Sequence, residues 1–154
     1  LDIGVVTMPV KDNPAIDVAP LREDPMMAFF SGTERALPAH ATPRYLASRE
    51  LILNQRSSQT YRIIAQWFQA AGIEPSPIME LGNSEAIKRL VAAGLGVGIL
   101  PFERKQGMLV YGRTQVRPLK PVLVRRLAIV VRRDKRIEAA LKIVREVLFT
   151  LSKD

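Results

Sequence analysis

A polar loop that follows a short apolar run carries the residues best suited to bind an anion. The run at 51–53 is followed by Arg56, Ser57, Ser58 and Thr60, after which apolar residues recur at helical spacing. A helix N-terminus presents unpaired N–H groups and the positive end of the helix dipole, and an arginine presents a forked donor suited to carboxylate. The loop is therefore predicted to contact a small anion. Ordinary capping of the helix by Ser57 or Ser58 is the competing explanation.

Residues that would support catalysis are few. His40 is the single histidine, and no serine and acid accompany it in a recognised order. The neighbouring carboxylates, Glu23 with Asp24 and Glu80 with Glu85, show no pattern that would hold them in a cleft for acid–base chemistry. The chain has no cysteine, which excludes thiolate nucleophiles, disulfides and cysteine-ligated zinc. We expect no enzyme activity, no cofactor and no metal site.

A glycine-rich run at 94–98, Gly-Leu-Gly-Val-Gly, superficially resembles a dinucleotide-binding loop. That loop follows a strand and opens a helix. Here the pattern predicts a helix before the run and a strand after it. The run is therefore predicted to be a tight turn from helix to strand.

The elements that must position these residues alternate along the chain. The predicted strands lie at 3–6, 18–22, 26–30, 51–53, 78–81, 97–100 and 127–131. Helical faces are predicted from Ile63 to Ala71, from Ile87 to Val91 and from Ile137 to Leu151, and residues 31–44 are predicted to be loop. Apolar strands that alternate with helices indicate a mostly parallel sheet covered by helices on both faces.

Length and charge narrow the class of protein. The chain has 154 residues, 47% of them hydrophobic, and a net charge of +8, so it is a folded protein of one domain or two small lobes. Its apolar runs are far shorter than the roughly 20 residues of a membrane span. Residues 104–136 hold eleven cations against Asp134 alone. Such a stripe favours a polyanion partner such as nucleic acid, with a solvated face as the alternative.

Three motifs together resemble the regulatory domain of LysR-type transcriptional regulators. They read Ala-Gly-Ile-Glu-Pro at 71–75, Glu-Leu-Gly-Asn-Ser-Glu-Ala-Ile at 80–87 and Leu-Val-Ala-Ala-Gly-Leu-Gly-Val-Gly-Ile-Leu-Pro at 90–101. Residues 1–6 are similar to the strand that ends the first subdomain of that family, and residues 20–24 to its crossover into the second. The resemblance extends over essentially the whole chain.

The resemblance implies an α/β fold of the periplasmic-binding-protein-like type II, with two subdomains joined by crossing hinge strands. Residues 1–16 would end subdomain I, residues 17–99 would form subdomain II, and residues 100–154 would be the return strand and C-terminal helix of subdomain I. Subdomain I is then incomplete, because its opening strand–helix portion is absent. We expect another segment or another copy to cover the apolar sheet surface left open.

The resemblance also implies a function. The chain would be the effector-sensing and oligomerising domain of a bacterial, cytoplasmic regulator, with a small anionic metabolite bound between the subdomains. The predicted effector-binding residues are Thr7, Met8, Arg56, Ser57, Ser58, Thr60, Asn83 and Phe102. Turn or packing roles are the alternative for Thr7, Asn83 and Phe102. The chain would assemble into a homodimer or homotetramer. The other partner would be DNA, bound through an N-terminal helix-turn-helix absent from this chain, and no membrane partner is expected.

Two other kinds of protein use the same fold. A solute-binding protein of a transporter would carry a signal or lipid-attachment sequence upstream. An enzyme would need a catalytic constellation, and the motifs above provide none. The sequence therefore favours the regulator.

Overall fold

The computed structural model describes residues 3–9, 13–102, 113–133 and 139–151. The strands are β1 (Ile3–Thr7), β2 (Ile16–Ser31), β3 (Leu51–Asn54), β4 (Pro77–Leu81), β5 (Val97–Pro101), β6 (Thr114–Pro118) and β7 (Val124–Arg132). The helices are α1 (Pro43–Ala47), α2 (Gln59–Gln69), α3 (Ser84–Ala92) and α4 (Ala139–Leu151). The predicted α/β class is confirmed.

Two compact units make up the chain. The first comprises Leu1–Asp24 with Arg125–Asp154, and the second is Pro25–Val124. The chain passes between them twice, once inside β2 and once at the start of β7. The subdomain boundaries expected at 16/17 and 99/100 stay predictions about how these units correspond to the family's subdomains.

In the first unit, β1 pairs with β7 in the antiparallel direction. The register runs from Ile3 opposite Val131 to Thr7 opposite Leu127. The middle of β7 is buried, as its apolar sequence predicts, because Ala128 and Ile129 are each fully enclosed.

The helix of the first unit, α4, confirms the amphipathic helix predicted at the end of the chain. Its side chains Ile143, Val144 and Val147 are exposed. Ile137, which was predicted to begin its apolar face, lies outside the described residues. The expectation that another segment or copy covers apolar surface in this unit stays a prediction.

The sheet of the second unit is mixed, so the prediction of a mostly parallel sheet is wrong. Strand β3 runs parallel to both β4 and β5, whereas β2 pairs antiparallel with β5 and with β6. The reason lies in the connections. Parallel neighbours need a crossover, which α2 and α3 provide for β3, β4 and β5. The antiparallel pairs that β2 makes with β5 and β6 have no such requirement.

The two strands predicted at 18–22 and 26–30 form one continuous strand, β2, which contains Pro25. Proline removes a backbone donor and is therefore disfavoured inside a strand. At this position only an acceptor is used, because the carbonyl of Pro25 accepts from the N–H of Phe102 at 2.9 Å. The donor of the next residue, Met26, reaches the carbonyl of Leu123 at 2.8 Å.

A short helix and a strand were missed. Helix α1 starts inside the predicted loop 31–44, where the hydroxyl of Thr42 accepts from the N–H of Tyr45 at 3.2 Å and Pro43 fills the first turn. Strand β6 has no apolar run to reveal it. It is held by pairing with β2, from Ser31 opposite Thr114 to Met27 opposite Pro118.

Both faces of the second unit's sheet are covered, as predicted. Side chains on one face of β2, β3 and β5 pack with α1 and α2, and those on the other face pack with α3. The first cluster includes Met26, Ala28, Phe30, Leu46, Leu51, Leu53, Ile64, Trp67, Phe68, Val97 and Ile99. The second includes Phe29, Ile52, Ile87, Val91 and Leu100. The alternation along each strand places neighbours on opposite faces, which is why these strands read as continuously apolar.

The glycine-rich run forms the helix-to-strand turn that was predicted. Gly94 has a φ of 82°, in the left-handed region that glycine tolerates best. A Cβ on Gly96 would lie 2.5 Å from the carbonyl oxygen of Glu50, so this position needs the smallest residue. The run is therefore structural.

Candidate functional site

The carboxyl ends of β3 and β4 lie side by side, because the two strands are parallel neighbours. The loops that leave them are in contact. The N–H of Gln55 donates to the carbonyl of Leu81 at 3.1 Å, and a Cβ on Gly82 would lie 3.4 Å from the side-chain oxygen of Gln55. One loop enters α2 and the other enters α3. Two helix N-termini therefore begin at the same edge of this sheet, which is where open α/β sheets bind ligands.

The N-terminus of α2 is capped by Ser58. Its hydroxyl accepts from the N–H of Tyr61 at 3.1 Å. This settles the choice between Ser57 and Ser58 as N-cap in favour of Ser58. The side chain of Ser57 is exposed and that of Thr60 is half-buried. Thr60 stands in the first turn of the helix and Ser57 directly precedes the N-cap, where backbone donors favour an anion.

The N-terminus of α3 is capped by Asn83. The side-chain oxygen of Asn83 accepts from the N–H of Glu85 at 2.8 Å. Glu85 places a carboxylate in the first turn and pairs with Lys88 at 3.5 Å. Capping thus accounts for Asn83 without a ligand, as the alternative in the sequence analysis allowed.

Arg56 is already engaged by an acidic side chain. Its Nε donates to Glu80 Oε1 at 2.7 Å, and its backbone N–H donates to Glu80 Oε2 at 3.2 Å. Its guanidinium carbon lies 5.8 Å from the centroid of the Tyr61 ring. The hydrogen bond between the two side chains lowers the pKa of Glu80 and, with the field of Tyr61, raises the pKa of Arg56. The forked donor expected to face a ligand is therefore held by a carboxylate of β4.

Asn54, the last residue of β3, was not among the predicted site residues. Its side chain is buried at 7% exposure, and its Nδ2 lies 3.5 Å from the hydroxyl of Ser84 at the start of α3. Among the residues that the structure describes, its Oδ1 has no hydrogen-bond partner. The signal in the sequence was the polar residue that ends the apolar run at 51–53. A buried amide with an unused acceptor adds to the polar character of this edge.

The remaining predicted residues lie elsewhere. Phe102 follows β5 and is half-buried, packed against the cluster that includes Phe29 and Ile87. Thr7 and Met8 belong to the first unit, where both are half-buried and the N–H of Met8 donates to the carbonyl of Arg126 at 2.8 Å. Binding by these three residues stays a prediction.

Part of the basic stripe is neutralised within the first unit. Arg125 pairs with Asp24 at 2.6 Å, and Arg133 pairs with Asp17 at 2.6 Å. Arg126 pairs with Glu23 at 2.8 Å. In all three pairs the arginine comes from the region of β7 and the acid from β2. Within the described part of the stripe, these three cations are thus already matched with carboxylates.

A cavity of about 280 Å³ lies at the other edge of the second unit's sheet, before β3 and β5. It is lined by Ser31, Glu34, Ser48, Arg49, Glu50, Gly94, Gly96 and Val97. Glu34 and Arg49 form an ion pair with each other. Its two most enclosed charged groups therefore satisfy one another, and we place the candidate site at the carboxyl edge instead.

Two further observations concern only the described ranges. They contain no group of three or more histidine, cysteine, aspartate or glutamate side chains arranged to hold a metal ion. None of their helices is long and apolar enough to cross a membrane.

Comparison with known proteins identifies the relatives of this chain. The family described as LysR substrate binding domain matches residues 1–151. The HTH-type transcriptional regulator YeiE of Escherichia coli K12 is 32% identical over 143 residues, which are 92% of this chain and 48% of YeiE. The chain thus spans about half the length of this curated relative.

Solved structures share the fold. The regulatory domain of CcmR from Synechocystis PCC6803, in complex with 2-PG, matches 99% of this chain and 74% of its own chain with a TM-score of 0.84 and 17% identity. The effector binding domain of QuiR, in complex with shikimate, matches 99% of this chain and 72% of its own with a TM-score of 0.83 and 18% identity. These matches confirm the predicted periplasmic-binding-protein-like fold class.

Proposed function

Because the chain belongs to the LysR substrate-binding domain family, we propose that it is the effector-sensing domain of a transcription regulator. The regulator would bind DNA through a helix-turn-helix that lies outside these 154 residues. Relatives that are HTH-type regulators and are about twice as long support this proposal. They favour a regulator over the solute-binding protein of a transporter.

The effector is proposed to be a small anion held at the carboxyl edge of β3 and β4. The observation that carries this is the convergence of two capped helix N-termini, those of α2 and α3, at that edge. The dipoles of both helices favour negative charge there, each by about 0.3–1 kcal/mol at an exposed position. Shikimate, which QuiR binds on the same fold, is a hydroxylated carboxylate and fits this class.

The residues proposed to contact the effector in the second unit are Arg56, Ser57, Ser58, Thr60, Asn83 and Phe102. Ser57 and Thr60 are the hydroxyl-bearing members whose side chains do not cap a helix in the described structure, so variants of these two residues give the clearest test. Thr7 and Met8 are proposed to contribute from the first unit. Asn54 and Ser84, which the sequence analysis missed, join this set because their side chains meet beside it.

The mechanism is a shift between two arrangements of the regulator. An effector that binds one arrangement more tightly increases its population, by no more than the difference in its two affinities. In a homodimer or homotetramer this shift would change the spacing of the DNA-binding helix-turn-helix domains. We further propose that the regulator acts in the cytoplasm and catalyses no reaction, since the relative YeiE is named as a transcriptional regulator.

Thermal-shift titration of the full-length regulator with shikimate, malonate and inorganic phosphate tests the proposal. At least one anion should raise the melting temperature, because a ligand that binds only the folded state stabilises it. Thr60→Val and Ser57→Ala should reduce that shift. Ser48→Ala, an exposed serine before β3, is the matched control and should leave it unchanged. A shift that survives both site variants would place the anion elsewhere.

A further inference from the structure

The loop before α2 is tied to β4 through a single acid. Glu80 accepts from two of the donors of Arg56 at this edge, the side-chain Nε at 2.7 Å and the backbone N–H at 3.2 Å. The two carboxylate oxygens take one donor each. The carboxylate of a ligand that took these two donors would occupy the place of Glu80.

The pair stands at the place where the proposed effector binds. Arg56 precedes the N-cap Ser58 by two residues, and Glu80 is the last residue but one of β4, beside the loop that enters α3. The side chain of Arg56 is 64% exposed and that of Glu80 is 30% exposed. Neither is locked in a core, so the guanidinium is free to exchange one carboxylate for another.

We propose that Glu80 is a built-in competitor for the effector's anionic group, and that effector binding replaces Glu80 on Arg56. This inference rests on the proposed function and concerns the selectivity of the same site. Glu80 lies in β4, and its place in the sequence suggested only a possible acid–base carboxylate.

The competition defines the class of ligand. A monocarboxylate that displaces Glu80 exchanges one negative charge for another on Arg56, so the exchange adds little to the free energy of binding. A dianion, such as a phosphate or a dicarboxylate, brings additional charge to the donors of Arg56 and to the two helix N-termini. Glu80 therefore biases the site toward dianions.

A purely structural role makes the opposite prediction. If Glu80 only anchors the loop, neutralising it loosens the loop and weakens binding. If Glu80 competes, neutralising it frees Arg56 and strengthens binding. The sign of the change in affinity thus separates the two roles.

The test is isothermal titration calorimetry of the full-length regulator with malonate and with inorganic phosphate. Glu80→Gln should tighten binding about two- to fivefold, the range expected when an exposed ion pair is removed from the competition. Glu50→Gln removes the same charge at the opposite edge of the sheet and should leave the affinity unchanged. On an Arg56→Ala background the gain from Glu80→Gln should vanish, because the two effects are coupled.

The outcomes are separable. If the wild-type regulator binds neither probe, the proposed anion site fails and the competition fails with it. If the wild type binds but Glu80→Gln binds equally or more weakly, the competition is overturned and the proposed function stands. Glu80→Ala, which removes the acceptor altogether, repeats the measurement should Glu80→Gln not fold.

Discussion

The carboxylate of Asp24 accepts two hydrogen bonds from the guanidinium of Arg125, from Nη2 at 2.6 Å and from Nε at 3.2 Å. Asp24 is buried at 4% exposure, and Arg22 stands 3.0 Å from its other oxygen. Asp24 and Arg125 are the residues at which the chain leaves and re-enters the first unit. A buried charge held between two arginines therefore fixes β2 against β7 at this point.

Asp24→Asn should destabilise the protein strongly. The substitution leaves two arginines beside a neutral amide, and removing one partner of a buried pair costs about 3–5 kcal/mol. Glu23→Gln is the matched control, because Glu23 pairs with Arg126 in the same two strands but both side chains are more than half exposed. That change should cost about 0–1 kcal/mol. Urea unfolding of both variants checks the contrast, and equal losses would contradict it.

Ser58→Ala should weaken α2 where Ser57→Ala does not. Loss of the cap that accepts from Tyr61 costs about 1 kcal/mol, whereas an exposed serine outside the cap is worth less than about 0.5 kcal/mol. The exposed Ser57 differs from Ser58 by a single position along the loop. Thermal unfolding without ligand distinguishes the two. A larger loss for Ser57→Ala would mean that the helix begins differently.

Asn54→Leu should stabilise the ligand-free protein. The side chain of Asn54 is buried, and in the described part of the chain its Oδ1 lacks a partner, which costs about 1–3 kcal/mol. Leucine, whose side chain has the same branching, removes that cost and loses only the 3.5 Å contact to Ser84. The melting temperature should rise while anion binding weakens. A fall in melting temperature would show that the amide is satisfied in solution.

The Glu80 carboxyl should titrate at a lower pH than an ordinary glutamate. Its pKa is lowered chiefly by the side-chain hydrogen bond from Arg56, so the contact is present at neutral pH and is lost as pH falls through that lowered pKa. Arg56→Ala should return the pKa to its usual range, which NMR titration of the carboxyl carbon measures.

Periodicity predicted most of the second unit correctly, because its strands and helices bury continuous or regularly spaced apolar side chains. The helical face of Ile64, Trp67 and Phe68 is an example. The direction and pairing of the strands could not be predicted from periodicity. Antiparallel β2 and β6 are defined by partners distant in sequence, and β6 carries no local apolar signal.

The contacts of the candidate site could be predicted from the sequence only in part, and its role in binding stays a prediction. Helix capping follows from local sequence, so Ser58 was found. The engagement of Arg56 depends on Glu80, which lies 24 residues away on another strand. Asn54 was passed over because a polar residue at the end of a strand usually reads as the start of a loop, whereas here it is buried against Ser84.

Strand β2 limits how chimaeras of this protein can be built. It is a single strand of sixteen residues, and the chain changes unit in its middle rather than in a loop. A chimaera that exchanges one unit with a homologue must therefore be spliced inside hydrogen-bonded strands, at 24/25 and 124/125.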